Sequence, residues 1–106
     1  PCALPSSEFG LPRAHEAIAP GTPTLGRDEY YRRMFDQVIE SCQAGRALQA
    51  ANFWAWGGEG RSEPGINVTA TGFTGDPFPE AQGLNSVFDT DTSTLAVITA
   101  ANRKLA

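Results

Sequence analysis

Between Arg27 and Ala44 the apolar positions Tyr30, Met34, Val38 and Cys42 recur four residues apart, and Tyr31, Phe35 and Ile39 fill the row beside them. A stripe with that spacing predicts an amphipathic helix. Asp28 and Glu29 stand in its first turn, where carboxylates complement the helix dipole, and Gly45 supplies a C-terminal stop. A second helix is predicted from the Asp91-Thr92-Ser93-Thr94 capping cluster onward, with Leu95, Ile98 and Leu105 on one side. The run Leu48 to Trp56 is apolar apart from Asn52 and reads as a buried strand bounded by Gly57-Gly58. Cys2 to Gly10 reads as a brief strand entering a loop, although Pro5 removes a ladder donor within it. Leu11 to Gly26 and Gly57 to Asn85 are Gly- and Pro-rich loops, and the second is long enough to be functional.

The order is therefore βαβα, which predicts a parallel sheet with helices packed against it. Two strands cannot make a stable parallel sheet covered on both faces, so the pattern itself calls for missing neighbours. Side chains alternate along a strand. Glu8 thus shares a face with Ser6, Leu4 and Cys2, while Trp54 shares one with Asn52 and Trp56. Phe53 points the other way, toward the helices.

Composition narrows the class. One hundred and six residues suit one domain, and 41% apolar with 19% charged residues is ordinary for a globular chain. A net charge of −4 argues against nucleic acid or an anionic membrane as partner. No run of about 18 apolar residues exists to span a bilayer. The chain opens without an initiator Met or a signal peptide and reads as a piece of something longer. Cys2 and Cys42 match no zinc or redox spacing, and parity sets Cys2 away from a helix-borne Cys42, so two unpaired thiols are expected. With His15 as the one histidine, no His-rich metal cluster is available, and neither metal nor cofactor is expected.

Two features carry candidate chemistry. Glu8 lies at the end of a strand and before Gly10, where parallel β/α barrels place catalytic groups. Its bland reading is a surface carboxylate in a turn. Trp54 and Trp56 close the next strand, where an indole face can stack on the apolar face of a sugar ring. Their bland reading is core packing.

Four blocks together resemble glycoside hydrolase family 5. They are Ser7-Glu8-Phe9-Gly10-Leu11-Pro12-Arg13, Asn52-Phe53-Trp54-Ala55-Trp56-Gly57-Gly58-Glu59-Gly60-Arg61, Gly72-Phe73-Thr74-Gly75-Asp76-Pro77 and Gln82-Gly83-Leu84-Asn85-Ser86-Val87-Phe88-Asp89-Thr90-Asp91. Within the family the resemblance is to the C-terminal part of bacterial endo-β-1,4-mannanases, and it covers nearly the whole chain. It implies an α/β fold, the C-terminal quarter of a (β/α)8 TIM barrel. Residues 1–106 would be a partial catalytic domain holding the seventh and eighth β/α units, with a long loop after the eighth strand.

The resemblance also implies roles. Glu8 matches the nucleophile at the end of the seventh strand, and Trp54 matches the tryptophan that floors the sugar site beside the cleaved bond. Loop 57–85 becomes a wall of the cleft, from which Trp56 and Arg61 reach sugar; a loop ion pair is an equal reading for Arg61. Asp76 is expected to be structural, holding the turn before Pro77. Family members retain anomeric configuration, using two carboxylates about 5–5.5 Å apart, one attacking and one protonating the leaving oxygen. The nucleophile must be ionised and the acid protonated.

In the family the acid/base follows an Asn at the end of the fourth strand. No Asn-Glu pair occurs in this chain, and Glu59, Glu63 and Glu80 match no family acid. The chain departs from the family pattern at Pro5 and at Ile66-Asn67-Val68-Thr69-Ala70-Thr71, where relatives tend to carry aromatic residues. Asn67-Val68-Thr69 is formally a glycosylation sequon. The implied partner is a polysaccharide, β-mannan, and the remainder of the barrel is needed for activity. Alternatives are the same barrel acting on β-1,4-glucan, or a noncatalytic fragment with at most weak carbohydrate binding. The substrate class implies a secreted or periplasmic setting. A full barrel needs about 250 residues, so the isolated chain is expected to be marginally folded and inactive.

Overall fold

The computed structural model describes residues 7–19, 21–59, 76 and 80–106. The expectations for Cys2, Pro5, Arg61, Glu63 and residues 66–71 lie outside them. The elements in chain order are strand β1 (Ser7–Phe9), a 3-10 turn (Ala14–Glu16), helix α1 (Leu25–Gln43), strands β2 (Ala51–Phe53), β3 (Trp56–Gly58) and β4 (Val87–Phe88), and helix α2 (Thr92–Leu105).

Helix α1 follows the apolar stripe closely. Tyr31, Phe35, Val38 and Ile39 are buried, and Tyr30 and Met34 pack at the margin of the same core. The helix ends where Gly45 takes a positive φ of 66°. Gly45 N–H then donates to Cys42 O at 3.0 Å and Arg46 N–H to Ser41 O at 2.8 Å, which satisfies carbonyls the helix would otherwise leave open. Glu29 meets Arg32 and Arg33 on the exposed side, and those contacts, the bond to Arg33 first, hold its carboxyl below the usual range.

The strands depart from expectation. The single strand predicted over Leu48 to Trp56 is two strands with different partners. β1 pairs in parallel with β2, placing Ser7 against Ala51, Glu8 against Asn52 and Phe9 against Phe53. β3 pairs in parallel with β4, placing Trp56 against Val87 and Gly58 against Phe88. A cis Trp54–Ala55 peptide lies between β2 and β3. The glycines expected to bound the strand are inside β3, and β4, unpredicted, sits at the end of the expected loop.

The core forms where β1 meets the helices. The Phe9 ring lies edge-on to Tyr31 at 4.9 Å, Phe35 at 5.4 Å and Tyr30 at 5.9 Å between centroids. Edge-to-face aromatic pairs of this kind add to the gain from area burial. Phe53 joins at 5.9 Å from Tyr31, as the alternation along the strand predicts. From α2, Ala101 is buried in this cluster and Leu95, Val97 and Ile98 pack against it. Leu105, expected on the same side, is exposed at the helix end.

A charged cluster joins the N-terminal ends of both helices. Asp91 occupies the N-cap position of α2 but makes no side-chain cap. Its Oδ2 instead accepts from Arg13, from Arg27 at 3.0 Å and from Phe88 N–H at 2.8 Å. Arg13 and Arg27 each also donate to Ser86 O at 2.9 Å. The Arg13 guanidinium lies 5.1 Å from the centroid of the Phe88 ring. Burial first, then the neighbouring Arg27 charge, lowers the Arg13 pKa, while Asp91 opposes the shift. Asp28 is buried too, accepting from Thr24 at 3.0 Å, from Ser93 at 2.6 Å and from Thr94. Buried charges persist only when paired and hydrogen-bonded. The cluster therefore ties the loop after β1 to the β4–α2 junction.

Candidate active site

One residue separates the core from the exposed face of the small sheet. Phe9 is 5% exposed, whereas Glu8 before it is exposed. The parallel register sets Glu8 beside Asn52, also on the exposed side. Trp54 follows on the same face, 36% exposed. The alternation inferred from the sequence thus holds across both strands, with Glu8, Asn52 and Trp54 on one side and Phe9 and Phe53 on the other.

The backbone fixes Trp54 relative to Glu8. Trp54 N–H donates to Phe9 O at 2.7 Å, and the Tyr31 hydroxyl approaches Trp54 O at 3.5 Å. A Cβ on Gly10 would lie 2.6 Å from Trp54 O, so only glycine admits this approach without displacing the backbone. Burial pushes the Tyr31 phenol up to about 12.

Glu8 and Trp54 line one open hollow of about 400 Å³ together with Phe9, Gly10, Glu80 and Asn85. Glu80 and Asn85 come from the turn before β4, and their arrangement depends on Asp76. That carboxylate is fully buried. It accepts from Gly83 N–H at 2.7 Å, Asn85 N–H at 3.1 Å, Asn85 Nδ2 at 3.2 Å and Ser86 Oγ at 3.3 Å. Asp76 is structural, as expected, and organises the turn at 83–86; the turn expected before Pro77 lies outside the described residues. Asn85 Nδ2 also donates to Glu80 Oε2 at 3.1 Å, and Ala55 N–H donates to Asn85 O at 3.2 Å.

Of the residues singled out from the sequence, Glu8 and Trp54 meet in this hollow. Trp56 does not. It is 55% exposed and lines a separate depression with Phe53, Asn52 and Ile98. Arg61 lies outside the described residues. Asn85 and Glu80 were not predicted to face Glu8. The Asp76, Gln82 and Asn85 positions within the matched blocks were the available signal, but their meeting depends on a turn no periodicity reveals. The Cys42 thiol is free, 3.4 Å from Gln49 O. Among the described residues, no group of three or more His, Cys, Asp or Glu could hold a metal ion.

Chemically, the hollow offers an exposed carboxylate on a braced strand, with the Trp54 indole and a second carboxylate, Glu80, also in its lining. The family model described as GH family 5 beta-mannosidase-like matches residues 4–106. The crystal structure of a glycoside hydrolase family 5 mannosidase from Rhizomucor miehei superposes with a TM-score of 0.77 at 36% identity, covering 93% of this chain and 25% of that one. A variant of that enzyme with one glutamate replaced by alanine, in complex with mannosyl-fructose, gives 0.76 at 34% identity, with the same coverage of each chain. Among curated proteins no match is found. The chain spans about a quarter of the length of the solved structures it matches.

Proposed function

The chain belongs to glycoside hydrolase family 5, its fold is part of a (β/α)8 barrel, and from that premise we propose that it supplies the nucleophile of a retaining β-mannan hydrolase. The observation that carries the reading is the shared hollow of Glu8 and Trp54. In this reading β1 and the β2–β3 segment are the seventh and eighth strands. A mannosyl ring lies on Trp54, and Glu8 attacks its anomeric carbon from the opposite side to the leaving group. A bond forms between a Glu8 carboxylate oxygen and that carbon as the glycosidic bond breaks. A second carboxylic acid protonates the departing oxygen. It then takes a proton from water, which cleaves the glycosyl ester and restores Glu8.

Glu8 is suited to this work. It is open to substrate, and its strand is held by Phe9 in the aromatic cluster, so the carboxylate is positioned without being buried. Preorganisation on a rigid element lowers the cost of reaching an attack geometry. The acid belongs to another part of the barrel, so these 106 residues alone complete half of the mechanism. Polymeric mannan is met outside the cytoplasm, which favours a secreted or periplasmic enzyme.

Internal cleavage of mannan is the reading we favour, on the resemblance of the four sequence blocks to endo-β-1,4-mannanases. Release of a terminal mannosyl unit is the second reading, favoured by the beta-mannosidase-like family description and by the mannosyl-fructose bound to the Rhizomucor miehei variant. In the complete barrel carrying this chain, Glu8→Gln is expected to lower kcat by roughly 10⁴-fold while sparing substrate binding. Undiminished turnover would remove Glu8 from the nucleophile role. Mannan viscosity plotted against new reducing ends separates the two readings: an early fall in viscosity means internal cuts, a late one means terminal release.

A further inference from the structure

We propose that Asp76 is a positioning residue for the reaction: through the turn it organises, it fixes the direction in which the Trp54 indole leaves the backbone beside Glu8. This rests on the reading of the Glu8–Trp54 hollow as the sugar site. Asp76 is fully buried and does not line that hollow, so it acts through the backbone and not on sugar.

Two peptide units flank the Trp54 Cα. A peptide unit is planar, so once both units are held, the φ and ψ between them are held too, and with them the direction of the Cα–Cβ bond. On the N-terminal side, Trp54 N–H donates to Phe9 O at 2.7 Å, on the strand that carries Glu8. On the C-terminal side, Ala55 N–H donates to Asn85 O at 3.2 Å, and Ala55 O accepts from Val87 N–H at 2.8 Å. Trp54 is thus suspended between β1 and the turn that leads into β4. It is partly exposed, so packing leaves much of the indole's direction to this backbone clamp.

The C-terminal anchor is only as firm as the turn that carries Asn85, and that turn is built on Asp76. Asp76 Oδ2 accepts from Gly83 N–H at 2.7 Å and Ser86 Oγ at 3.3 Å, and Oδ1 accepts from Asn85 N–H at 3.1 Å and Asn85 Nδ2 at 3.2 Å. The Gln82 side chain, itself buried, donates to Asp76 O. A carboxylate taken out of water is costly unless such bonds offset the loss of hydration, and donors converging on it from three residues favour one arrangement of the turn. Asn85 O is thereby held where Ala55 N–H meets it. Binding groups need supporting contacts of this kind to keep their geometry, and a misplacement of about 1 Å caused by a remote residue can cost about a hundred-fold in rate.

The test is a double-mutant cycle in the complete barrel enzyme carrying this chain. Asp76→Ala and Asp76→Asn are made alone and combined with Trp54→Ala, and kcat/KM on a β-manno-oligosaccharide is read below the melting temperature of every variant. Asp76→Ala should lower kcat/KM by roughly ten-fold, the size of coupling expected within one hydrogen-bond network. Asp76→Asn should lower it by less, since its amide oxygen still accepts from Asn85 N–H. Added to Trp54→Ala, neither should lower kcat/KM by more than about two-fold further, because the platform that Asp76 orients is gone. A merely structural role would lower the melting temperature without this dependence on Trp54. Undiminished kcat/KM in folded Asp76→Ala, or a loss that persists in full on Trp54→Ala, would overturn the Asp76 assignment and leave the site reading intact. Native kcat/KM in Trp54→Ala would overturn the site reading and this inference with it. Should Asp76→Ala not fold, Asp76→Asn decides on the same terms. Unfolding of both would overturn the positioning role, since Asp76 would then be a requirement of the fold as a whole.

Discussion

Glu8 and Phe9 are neighbours in sequence with opposite surroundings. Phe9 is enclosed by three aromatic rings from α1, while Glu8 faces an open hollow. The difference follows from strand geometry alone, since successive side chains leave opposite faces. It teaches that the back of the sheet holds the packed core, while the front leaves the proposed nucleophile exposed. The Arg13–Asp91–Arg27 cluster extends the back by anchoring the loop that follows Glu8.

The comparison breaks most severely at Asp91. In the complete barrel, Asp91→Ala leaves two buried guanidinium groups without their shared carboxylate, and should cost about 3–5 kcal/mol of stability by denaturant unfolding. A loss below about 1 kcal/mol would mean the cluster behaves like surface charge. Phe9→Ala should cost about 3–5 kcal/mol through lost burial and a cavity among Tyr30, Tyr31 and Phe35. By contrast Glu8→Gln should leave stability within about 0.5 kcal/mol, as surface substitutions usually do. If Glu8→Gln destabilised the protein as much as Phe9→Ala, the division between faces would not hold.

Tyr31 sharpens the same division through pH. Its phenol is pushed up to about 12 in the folded state, chiefly by burial. An unfolded tyrosine titrates near pH 10, to order of magnitude. Below that pH both states are protonated and the native advantage is fully present. As pH rises from about 10 toward 12, the unfolded chain releases its proton first, so stability falls across that window. Tyr31→Phe should flatten this part of the stability profile while lowering stability slightly at neutral pH. An unchanged alkaline slope would assign the loss to other groups.

Much of this organisation was legible in the residues. Helix α1 was predicted over 27–44 and spans Leu25–Gln43, because its apolar rows repeat at helical spacing and Gly45 ends it. The faces of Glu8, Trp54 and Phe53 followed from alternation. The strand break at Trp54–Ala55 was not legible, since an apolar run does not announce a change of partner: residues 51–53 pair with β1 and 56–58 with β4. Nor was the burial of Arg13 and Arg27, whose charges find Asp91 and Ser86 across as many as 78 positions. Asp91 was placed correctly at the start of α2, yet its carboxylate serves those arginines rather than the helix. The meeting of Glu80 and Asn85 with Glu8 depends on the Asp76 turn, which composition marks only as loop.

The central claim is that Glu8 forms the covalent bond to sugar. The most direct measurement incubates the complete barrel enzyme with a 2-deoxy-2-fluoro-β-mannosyl fluoride, which slows breakdown of a glycosyl ester, and maps the adduct by peptide mass spectrometry. The account predicts one glycosyl unit on the peptide containing Ser7-Glu8-Phe9, fragmenting to Glu8, with loss of activity in step with labelling. An adduct on a different residue, or inactivation without any covalent adduct, would contradict it.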